Sequence, residues 1–576
     1  MWKSSVRNIK VQETTKNHGN GRIILLWIIL LFVFLAFVYR TYDLQIKQSD
    51  EFSQYFDSIR LKREVIPAYR GNIYDRNGTL LAYTKVNRYI DLSESIKGIY
   101  GSAREDLVKD ISKLTGISEL NITDAINHNE DILIRPDISV SNPNISLKYD
   151  FERIYPFNGS LSHIIGYVNR GLVGVAGVEK TFNDYLKGIN GVTQVEVDSR
   201  TRQLKKQTVR KPQKGQDIYL SVDLQLQQYI EELLAEIENP SVVIVSSPDS
   251  GEILSMVSKP FYESSRMTKP IIEEEWQLML KDEGNIFLNR AISSTYNPGS
   301  LIKPFMALSV LSDNTVSVYK AVTQRLYCDG EFSLYSNDGK TEYKYHDWLS
   351  TGHGTVTLFD AVKESCNVYF YNKGLELGID YLKSISDTIG LTMKSQINLP
   401  EEKTGIYPST SWKLQEIGEN WYLGDTVLSS IGQGYVRLTP IEMLKLFELI
   451  ALEGNKQKSY ITANSFSLSN RYLNLPKSHW IYLKMAMNAV VSQPGGTAYP
   501  AFKDASYKDK LAGKTGTAEI GIEGRYHAYF AAFYPLERPK YTVFVLIENG
   551  GYGGQNAAPI GRKVFDFILE KENETF

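Results

Sequence analysis

The chain has 576 residues, enough for two or three domains, and carries a formal net charge of -2. Hydrophobic residues make up 42% and charged residues 23%, which is the balance of a globular protein and excludes a largely disordered chain. No dense basic stripe is present in the sequence, so no nucleic-acid partner is expected.

An apolar segment near the N-terminus predicts a membrane anchor. Residues 23–39, IILLWIILLFVFLAFVY, form an unbroken apolar run close to the length needed to cross a bilayer. A cleaved signal peptide has a shorter apolar region followed by small residues, and neither feature is present. Five basic residues precede the run against one acid, whereas the flank after it mixes bases with aspartates. The positive-inside rule therefore predicts a cytoplasmic tail over residues 1–22, one transmembrane helix over 23–39, and an extracytoplasmic remainder.

The next part of the chain, residues 40–215, is predicted to be a separate unit without an enzyme-like cluster. Residues 44–65 read as a helix that leads away from the membrane. Asn77-Gly78 lies between two short apolar runs and predicts a hairpin, because this pair tolerates the positive φ of a tight turn. Residues 106–127 predict short amphipathic helices, and residues 160–210 predict short strands that alternate with glycine.

The pattern changes near Gly215. A strand and a helix with apolar positions every three or four residues are followed by two strand-like runs, SVVIVSS and GEILSMV. AYFAAFYP and YTVFVLIEN are again strand-like near the end of the chain, and a final amphipathic helix follows them. Strands at both ends of a helical region predict one α/β domain over residues 216–576.

The segment YNPGSLIKPF carries the first candidate catalytic pair. Pro298 and Gly299 are helix-start signals, so Ser300 is expected in the first turn of a helix with Lys303 on the same face. A serine hydroxyl needs a neighbouring base to become a nucleophile, and a lysine with a lowered pKa can supply it. The pair alone is weak, because Ser317 and Lys320 show the same spacing by chance.

Two further motifs make the signal specific. KESCNVYF supplies Ser365 and Asn367, and LAGKTGTAEI supplies a basic and hydroxyl-bearing set on a predicted edge strand: Lys514, Thr515, Gly516 and Thr517. A second Lys-Thr-Gly at 403–405 lies in a polar stretch before a proline and is rejected. The three motifs occur in the order that penicillin-binding proteins and class A β-lactamases share. An active serine acyltransferase site is therefore favoured over a chance collection of surface residues.

At these motifs the chain resembles the class B penicillin-binding proteins, and within them the elongation-type branch. The resemblance covers nearly everything after residue 23 and includes RGNIYDRNGTLLA, NRAISSTYNPGSLIKP, DWLSTGHGTVTLFDAV, WYLGDTVLSSIGQGYVRLTPIEM and FVLIENGGYGG. It implies a serine β-lactamase-like α/β transpeptidase domain with a five-stranded antiparallel sheet flanked by helices. It also implies that this domain is preceded by an elongated α+β pedestal and one transmembrane helix.

The resemblance further implies a D,D-transpeptidase that cross-links peptidoglycan stem peptides through a Ser300 acyl-enzyme and is inhibited covalently by β-lactams. Lys303 would take the serine proton, Ser365 would relay protons, and Asn367 would hold the substrate amide and the lysine. Lys514 would add positive potential near the substrate carboxylate, which Thr515 and Thr517 would bind. Gly516 would leave room for the substrate, and the backbone N–H groups of Ser300 and Thr517 would form the oxyanion hole.

The two cysteines, Cys328 and Cys366, leave three interpretations open. With Asp347 and His353 they make a plausible tetrahedral zinc set, although their spacing is not finger-like. An extracytoplasmic disulfide is chemically permitted, and free thiols are common. Some elongation-type relatives carry a metal at positions that resemble Asp347, His353 and Cys366. The hypothesis is a structural zinc that fixes the loop of Ser365, while the chemistry itself requires no cofactor.

Other functions remain to be weighed. A β-lactamase shares the motifs but is disfavoured by the N-terminal unit, the anchor and the missing deacylating glutamate motif. A D,D-carboxypeptidase differs only in using water as acceptor, and a non-catalytic scaffold would not need Ser300. A β-lactam sensor would need a cytoplasmic output domain. The pedestal shows no glycosyltransferase-like acids, so polymerisation is assigned to a partner. By resemblance this partner is a SEDS-family glycosyltransferase within the wall-elongation complex.

Overall fold

The computed structural model describes residues 19–48, 61–135, 137–142, 144–197, 203–315, 317–336, 340–463, 470–521 and 524–574. It begins with the helix Gly19–Tyr42, which continues as one wider turn, Asp43–Lys47. Within the described residues this is the one helix long and apolar enough to cross a membrane, and its apolar side chains are exposed. The predicted apolar helix is confirmed, while most of the predicted cytoplasmic tail lies outside the described residues.

A three-stranded antiparallel sheet follows, and it corrects the helix predicted over residues 44–65. Residues 49–60 of that prediction lie outside the described residues, and Leu61–Ile66 is a strand. It pairs with Gly191–Val197, which in turn pairs with Gln203–Arg210. The partner strand is more than a hundred residues away in sequence, and such long-range pairing overrides local helix propensity.

The second sheet of the pedestal contains the predicted hairpin. Its strands are Ile73–Tyr74, Leu80–Ile90, Ile132–Ile134, Leu147–Ile154 and Ile218–Tyr219. Gly78 has a φ of +85°, and Asp75 Oδ1 accepts hydrogen bonds from the backbone N–H groups of Asn77 and Thr79. The hairpin at Asn77-Gly78 is thus confirmed, with the preceding aspartate stabilising the turn.

Short helices complete the pedestal. The predicted amphipathic helices are confirmed as Ser102–Thr115 and Glu119–His128, which bury Leu107, Ile111 and Ile122 in a separate small core. The strands predicted from residue 160 onward are wrong in their first half, where the structure has three one-turn helices: Ser162–Ile165, Gly177–Thr181 and Asn183–Leu186. A further turn, Leu92–Ser95, precedes the amphipathic pair.

A buried ion cluster explains the helical turns after residue 160. Glu179 is fully buried, and its carboxylate accepts from Arg70 Nε at 2.6 Å and from Arg153 Nε at 2.7 Å. Arg70 also donates to the carbonyl oxygen of Leu172. The cluster links the segment after the strand Leu61–Ile66, the strand Leu147–Ile154 and the helix Gly177–Thr181, so local glycine spacing did not decide the structure there.

The large domain is built on a five-stranded antiparallel sheet, as the sequence predicts. In spatial order its strands are Ile253–Lys259, Ser241–Ser246, Tyr541–Ile547, Tyr526–Tyr534 and Ala512–Glu519. Strands from the beginning of the domain therefore pair with strands from its end. The helices Leu224–Ala235 and Ala558–Glu574 pack on this sheet and on each other, and the buried helix Pro440–Ala451 packs against its central strands.

The region between the two groups of strands is mainly helical. Its helices are Ser264–Met267, Glu273–Leu280, Arg290–Ser293, Lys303–Ser312, Val318–Thr323, Leu358–Glu364, Asn367–Leu377, Ile379–Thr388, Thr410–Glu416, Leu423–Ser430, Lys477–Ser492 and Tyr499–Phe502. Three two-stranded ribbons interrupt them: Leu326–Cys328 with Gly354–Val356, Glu331–Tyr335 with Glu342–His346, and Asn455–Lys456 with Asn470–Arg471. The predicted fold class is confirmed, whereas the predicted division between residues 215 and 216 stays a prediction.

Candidate active site

Ser300 lies in a tight turn immediately before a helix. The turn is the 3-10 segment Gly299–Ile302, and the α-helix begins at Lys303. Ser300 was expected in the first turn of the helix, so the α-helix begins three residues later than expected. Gly299 has a φ of +53°, and a Cβ atom there would lie 2.5 Å from the carbonyl oxygen of Thr517. Only glycine fits this approach, and it brings the turn of Ser300 against the edge strand of the sheet.

Lys303 is completely buried behind this turn. Its Nζ donates to the carbonyl oxygen of Ser365 at 2.6 Å, to Ser365 Oγ at 3.1 Å and to Asn367 Oδ1 at 2.6 Å. Burial lowers the pKa of Lys303 to about 8, although the Asp347 carboxylate acts in the opposite direction. A lysine with this pKa is neutral in a useful fraction of molecules near neutral pH, as a general base requires.

The three partners of Lys303 suit both of its protonation states. The carbonyl oxygen of Ser365 and Asn367 Oδ1 can only accept, so they orient two N–H bonds of the amine. Ser365 Oγ can accept from an ammonium or donate to a neutral amine. A proton can therefore move between Lys303 and the Ser365 hydroxyl without breaking the other two hydrogen bonds.

The motif of Ser365 and Asn367 lies at the junction of two helices. Leu358–Glu364 ends at Ser365, which adopts a left-handed conformation with a φ of +61°, and the next helix begins at Asn367. Asp347 Oδ2 accepts from the backbone N–H groups of Asn367 at 2.7 Å and Val368 at 3.1 Å. The carboxylate of Asp347 thus caps this helix and holds the strained junction in place.

Lys514 lies on the edge strand and is also completely buried. Its Nζ donates to the carbonyl oxygen of Thr515 at 3.0 Å. Burial, followed by repulsion from Lys303, holds the pKa of Lys514 well below its usual range. Among the residues that the structure describes, no carboxylate forms an ion pair with Lys514. A buried amine in this condition becomes charged most readily when a ligand brings a negative charge next to it.

The rest of the edge-strand motif faces two neighbouring segments. Thr515 Oγ1 lies 2.6 Å from Thr497 Oγ1, and Thr517 Oγ1 accepts from the backbone N–H of Gly553 at 3.2 Å. Gly516 was expected to leave room for a substrate. A Cβ atom at Gly516 would instead meet Leu301 Cγ at 3.0 Å, so its small size also permits contact with the turn of Ser300.

Both rejected motifs have structural roles elsewhere. Ser317 Oγ accepts from the backbone N–H of Lys320 at 3.3 Å, which makes this serine an ordinary helix cap. The backbone N–H of Gly405 donates to the Glu442 carboxylate at 2.9 Å. Neither of these hydrogen bonds involves the turn that carries Ser300.

The four residues of the predicted metal set are brought together. The candidate ligand atoms of Cys328, Asp347, His353 and Cys366 all lie within 4.8 Å of one another. Cys328 Sγ lies 3.6 Å from Asp347 Oδ2 and 3.7 Å from His353 Nδ1. Tetrahedral zinc places its ligand atoms roughly 3.3–3.8 Å apart, from bond lengths of about 2.0–2.3 Å. Both cysteines are buried free thiols in the structure.

The electrostatics of the cluster also fit a cation. Burial and the Asp347 carboxylate raise the pKa of the Cys366 thiol well above its usual range. A thiolate is therefore unfavourable at Cys366 unless a positive ion lies between its sulfur and the Asp347 carboxylate. The side chain of His353 is buried, and its Nδ1 faces the cluster at 3.6 Å from Asp347 Oδ1 and 3.7 Å from Cys328 Sγ. The donor set thus fits a zinc ion.

Sequence reasoning missed several residues that support the site. Glu548 Oε1 accepts from Tyr296 Oη at 2.7 Å and from Arg290 Nε at 2.9 Å. Tyr529 Oη donates to the carbonyl oxygen of Asn297 at 2.9 Å. Tyr296 and Asn297 lie in the segment of Ser300, and Glu548 lies in the segment FVLIENGGYGG, so both regions had been singled out without a role for these residues. Nothing in the local pattern linked either residue to strands more than two hundred positions later.

Family comparisons agree with this geometry. The family described as penicillin binding protein transpeptidase domain matches residues 241–566, which is more than half of the chain. The chain belongs to the penicillin-binding protein transpeptidase family. A second family, the penicillin-binding protein dimerisation domain, matches residues 65–220 of this penicillin-binding protein. The resemblance stated from the sequence is therefore confirmed.

Individual relatives cover most of this penicillin-binding protein. The peptidoglycan D,D-transpeptidase MrdA of Haemophilus influenzae is 29% identical over 92% of this chain and 88% of its own. The structure of penicillin-binding protein PBP2 in complex with MreC from Helicobacter pylori has a TM-score of 0.72, is 28% identical, and is matched over 88% of this chain and 99% of its own. A chain of a peptidoglycan synthase complex that coordinates polymerization and crosslinking has a TM-score of 0.70, is 27% identical, and is matched over 95% of this chain and 98% of its own.

Proposed function

We infer that the protein is a peptidoglycan D,D-transpeptidase of the cell-elongation type that acts through an acyl-enzyme at Ser300. The observation that carries this function is the buried Lys303, which joins Ser365 and Asn367 directly behind the serine turn. Relatives named peptidoglycan D,D-transpeptidase over nine-tenths of the chain support the substrate class.

In the first half-reaction, Ser300 Oγ attacks the carbonyl carbon of the penultimate D-alanine of a stem peptide. Neutral Lys303 accepts the hydroxyl proton, which the pKa of about 8 permits. The bond to the terminal D-alanine breaks as its nitrogen receives a proton through Ser365 Oγ, which lies 3.1 Å from Lys303 Nζ. An amine of a neighbouring stem peptide then attacks the ester carbonyl, and its proton restores the Ser300 hydroxyl when the peptide cross-link forms.

Substrate binding is assigned to the edge strand. The terminal carboxylate of the substrate becomes the negatively charged partner of the buried Lys514. The hydroxyl groups of Thr515 and Thr517 donate hydrogen bonds to the same carboxylate. Asn367 binds the substrate amide. The backbone N–H groups of Ser300 and Thr517 stabilise the oxyanion that forms on the attacked carbonyl. A β-lactam that resembles the D-alanyl-D-alanine end occupies the same position and leaves Ser300 acylated.

An assay with a synthetic stem peptide ending in D-alanyl-D-alanine, with and without an amine acceptor, tests this function. The full chain is kept in detergent, and mass spectrometry follows D-alanine release and product formation. A transpeptidase forms the cross-linked product when the acceptor is present, and Ser300→Ala abolishes it. Ser317→Ala is the matched control, because this serine has the same lysine spacing but only caps a helix.

Three other outcomes would contradict the inference. If D-alanine is released at the same rate with and without the amine acceptor, and water is the only acceptor used, the protein is a carboxypeptidase. Rapid turnover of penicillin by the parent protein would indicate a β-lactamase. Equal D-alanine release and equal product formation by the parent protein and Ser300→Ala would indicate a scaffold.

The N-terminal helix and the structural relatives support a place in a membrane assembly. We propose a single-pass protein of the cytoplasmic membrane with its N-terminus inside, because the basic residues precede the apolar helix. We propose elongation-complex partners, including a SEDS-family glycosyltransferase, because structural relatives occur with MreC and in a peptidoglycan synthase complex. Co-purification of that glycosyltransferase with the full chain, but not with a chain lacking residues 1–42, would support this assignment.

We also propose that Cys328, Asp347, His353 and Cys366 hold a structural zinc ion. A bound ion would hold together the ribbon of Cys328 and the helix junction next to Ser365, and it takes no part in the chemistry. Elemental analysis of the purified chain is expected to give about one zinc per molecule, and Cys328→Ser is expected to lower both the zinc content and the melting temperature. His128→Ala, at an exposed pedestal histidine, is the control. A metal-free, fully stable parent protein with two titratable thiols would refute the proposal.

A further inference from the structure

The residues directly before Ser300 are fixed by backbone hydrogen bonds to one neighbouring segment. Tyr296 and Leu438 exchange two backbone hydrogen bonds of 2.9 Å each. The backbone N–H of Gly299 donates to the carbonyl oxygen of Gly432 at 3.0 Å. The segment of residues 432–438 therefore contacts one side of the turn, and the large sheet contacts the other side.

Asn297 is held from both sides. Its Nδ2 donates to the carbonyl oxygens of Gly434 at 3.1 Å and Val436 at 2.8 Å. Its own carbonyl oxygen accepts from Tyr529 Oη, which reaches across from the strand Tyr526–Tyr534. The turn of Ser300 is therefore connected to the sheet by a side chain as well as by van der Waals contact.

Glu548 provides the second connection to the sheet. It directly follows the strand Tyr541–Ile547, and its backbone N–H donates to the carbonyl oxygen of Pro240. A single oxygen of its carboxylate accepts from both Tyr296 and Arg290, and both of these side chains are buried. Removal of the carboxylate would leave a buried guanidinium without its counter-charge and a buried phenol without its acceptor.

We propose that Glu548 is a positioning residue for the Ser300 nucleophile, acting through Tyr296. The proposal rests on the proposed function, in which Ser300 is acylated. Glu548 does not touch the reacting atoms. It sets the distance between the end of a central strand and the segment that carries the serine. Displacing a nucleophile by about 1 Å costs on the order of a hundredfold in rate. A substitution at Glu548 is therefore expected to slow acylation while leaving the substrate-binding groups on the edge strand in place.

The chain contains a matched control for this cluster. Asp566 on the C-terminal helix accepts from Tyr507 Oη at 2.6 Å and from Arg562 Nε at 2.8 Å. It has the same three chemical groups as the cluster of Glu548, but none of its members hydrogen-bonds to the turn of Ser300. Substitutions there report the general cost of breaking a partly buried tyrosine–carboxylate–arginine cluster.

The test measures acylation of the full chain by a fluorescent penicillin as a function of penicillin concentration. This separates the acylation rate constant from the dissociation constant of the initial noncovalent complex. The variants are Glu548→Ala and the milder Tyr296→Phe, with Asp566→Ala and Tyr507→Phe as controls. Melting temperatures are recorded for all variants. A parent protein that is not acylated at Ser300 would contradict the proposed function itself and is thereby distinguished from failure of the positioning role.

The expected result is a decrease of about 10- to 100-fold in the acylation rate constant of Glu548→Ala, with a dissociation constant changed less than about threefold. Tyr296→Phe is expected to show a smaller decrease of the same kind, and it carries the test alone if Glu548→Ala does not fold. The controls are expected to lose stability without loss of the rate constant. A parent-like rate constant in a folded Glu548 or Tyr296 variant, or an equal decrease in the controls, would overturn the proposal.

Discussion

The proposed role of Lys303 as general base predicts a specific pH dependence and a variant that shifts it. Burial lowers the pKa of Lys303 to about 8, and only the neutral amine can accept the Ser300 proton. Acylation is therefore expected to be slow at low pH and to rise as the pH passes through 8. Asn367→Asp keeps the size of the side chain but places a carboxylate where Asn367 Oδ1 now lies, 2.6 Å from Lys303 Nζ.

The magnitude follows from these two observations. With a pKa of about 8, roughly a tenth of the lysines are neutral at pH 7 and roughly nine-tenths at pH 9, so the acylation rate constant should rise about tenfold between them. A carboxylate in direct contact stabilises the ammonium form and raises its pKa by about 1–3 units. The new aspartate should remain ionised because it begins a helix. In Asn367→Asp the rate constant at pH 7 should therefore fall about tenfold or more.

The assay is acylation by a fluorescent penicillin between pH 6 and 10, with the rate constant extracted at each pH. Asn121→Asp, the same change at an exposed pedestal position, should keep the midpoint of the parent protein. A flat profile between pH 7 and 9 would refute the assignment of Lys303 as the base. So would an unshifted midpoint in a folded Asn367→Asp protein.

Three other substitutions or treatments have defined outcomes. Gly299→Ala should abolish acylation in a penicillin titration, because the new Cβ atom would lie 2.5 Å from a backbone oxygen of the edge strand. Gly418→Ala is the control and should remain active, because Gly418 also has a positive φ but a Cβ atom there would meet no atom within 4 Å. Glu179→Ala should destabilise the pedestal by about 3–5 kcal/mol in urea unfolding, since it leaves two buried arginines without their carboxylate, and a loss below about 1 kcal/mol would contradict this reading. Chelation should lower the melting temperature of the parent protein but not that of Cys328→Ser, and equal shifts in both would argue against the metal site.

The sequence predicted the parts of the fold that depend on local patterns. Four of the five strands of the large sheet read as short apolar runs, the fifth, Ala512–Glu519, was predicted as an edge strand at its Lys-Thr-Gly-Thr motif, and the Asn77-Gly78 turn has a strong local preference. The strand Leu61–Ile66 was mistaken for a helix because its partner, Gly191–Val197, lies far along the chain and local propensity carries no information about it. The helical turns near Glu179 were missed for the same reason, since two distant arginines stabilise them.

The candidate site shows the same division. The ordered motifs favoured Ser300 over Ser317, which stays a prediction, and the structure brings Lys303, Ser365 and Asn367 together as expected. The supporting contacts were not predictable, because Glu548 and Tyr296 are 252 residues apart and neither of their segments, although both carry the family resemblance, indicates the other as its partner. Motifs in sequence identify groups that meet a substrate, whereas the residues that hold those groups in position are visible only after folding.

The most direct test of the account is the intact mass of the full chain after reaction with penicillin, followed by peptide mapping of the adduct. One penicillin per chain is expected, bound at Ser300, absent from Ser300→Ala and retained in Ser317→Ala. An adduct that maps to another residue, or that persists in Ser300→Ala, would contradict the assignment of the nucleophile.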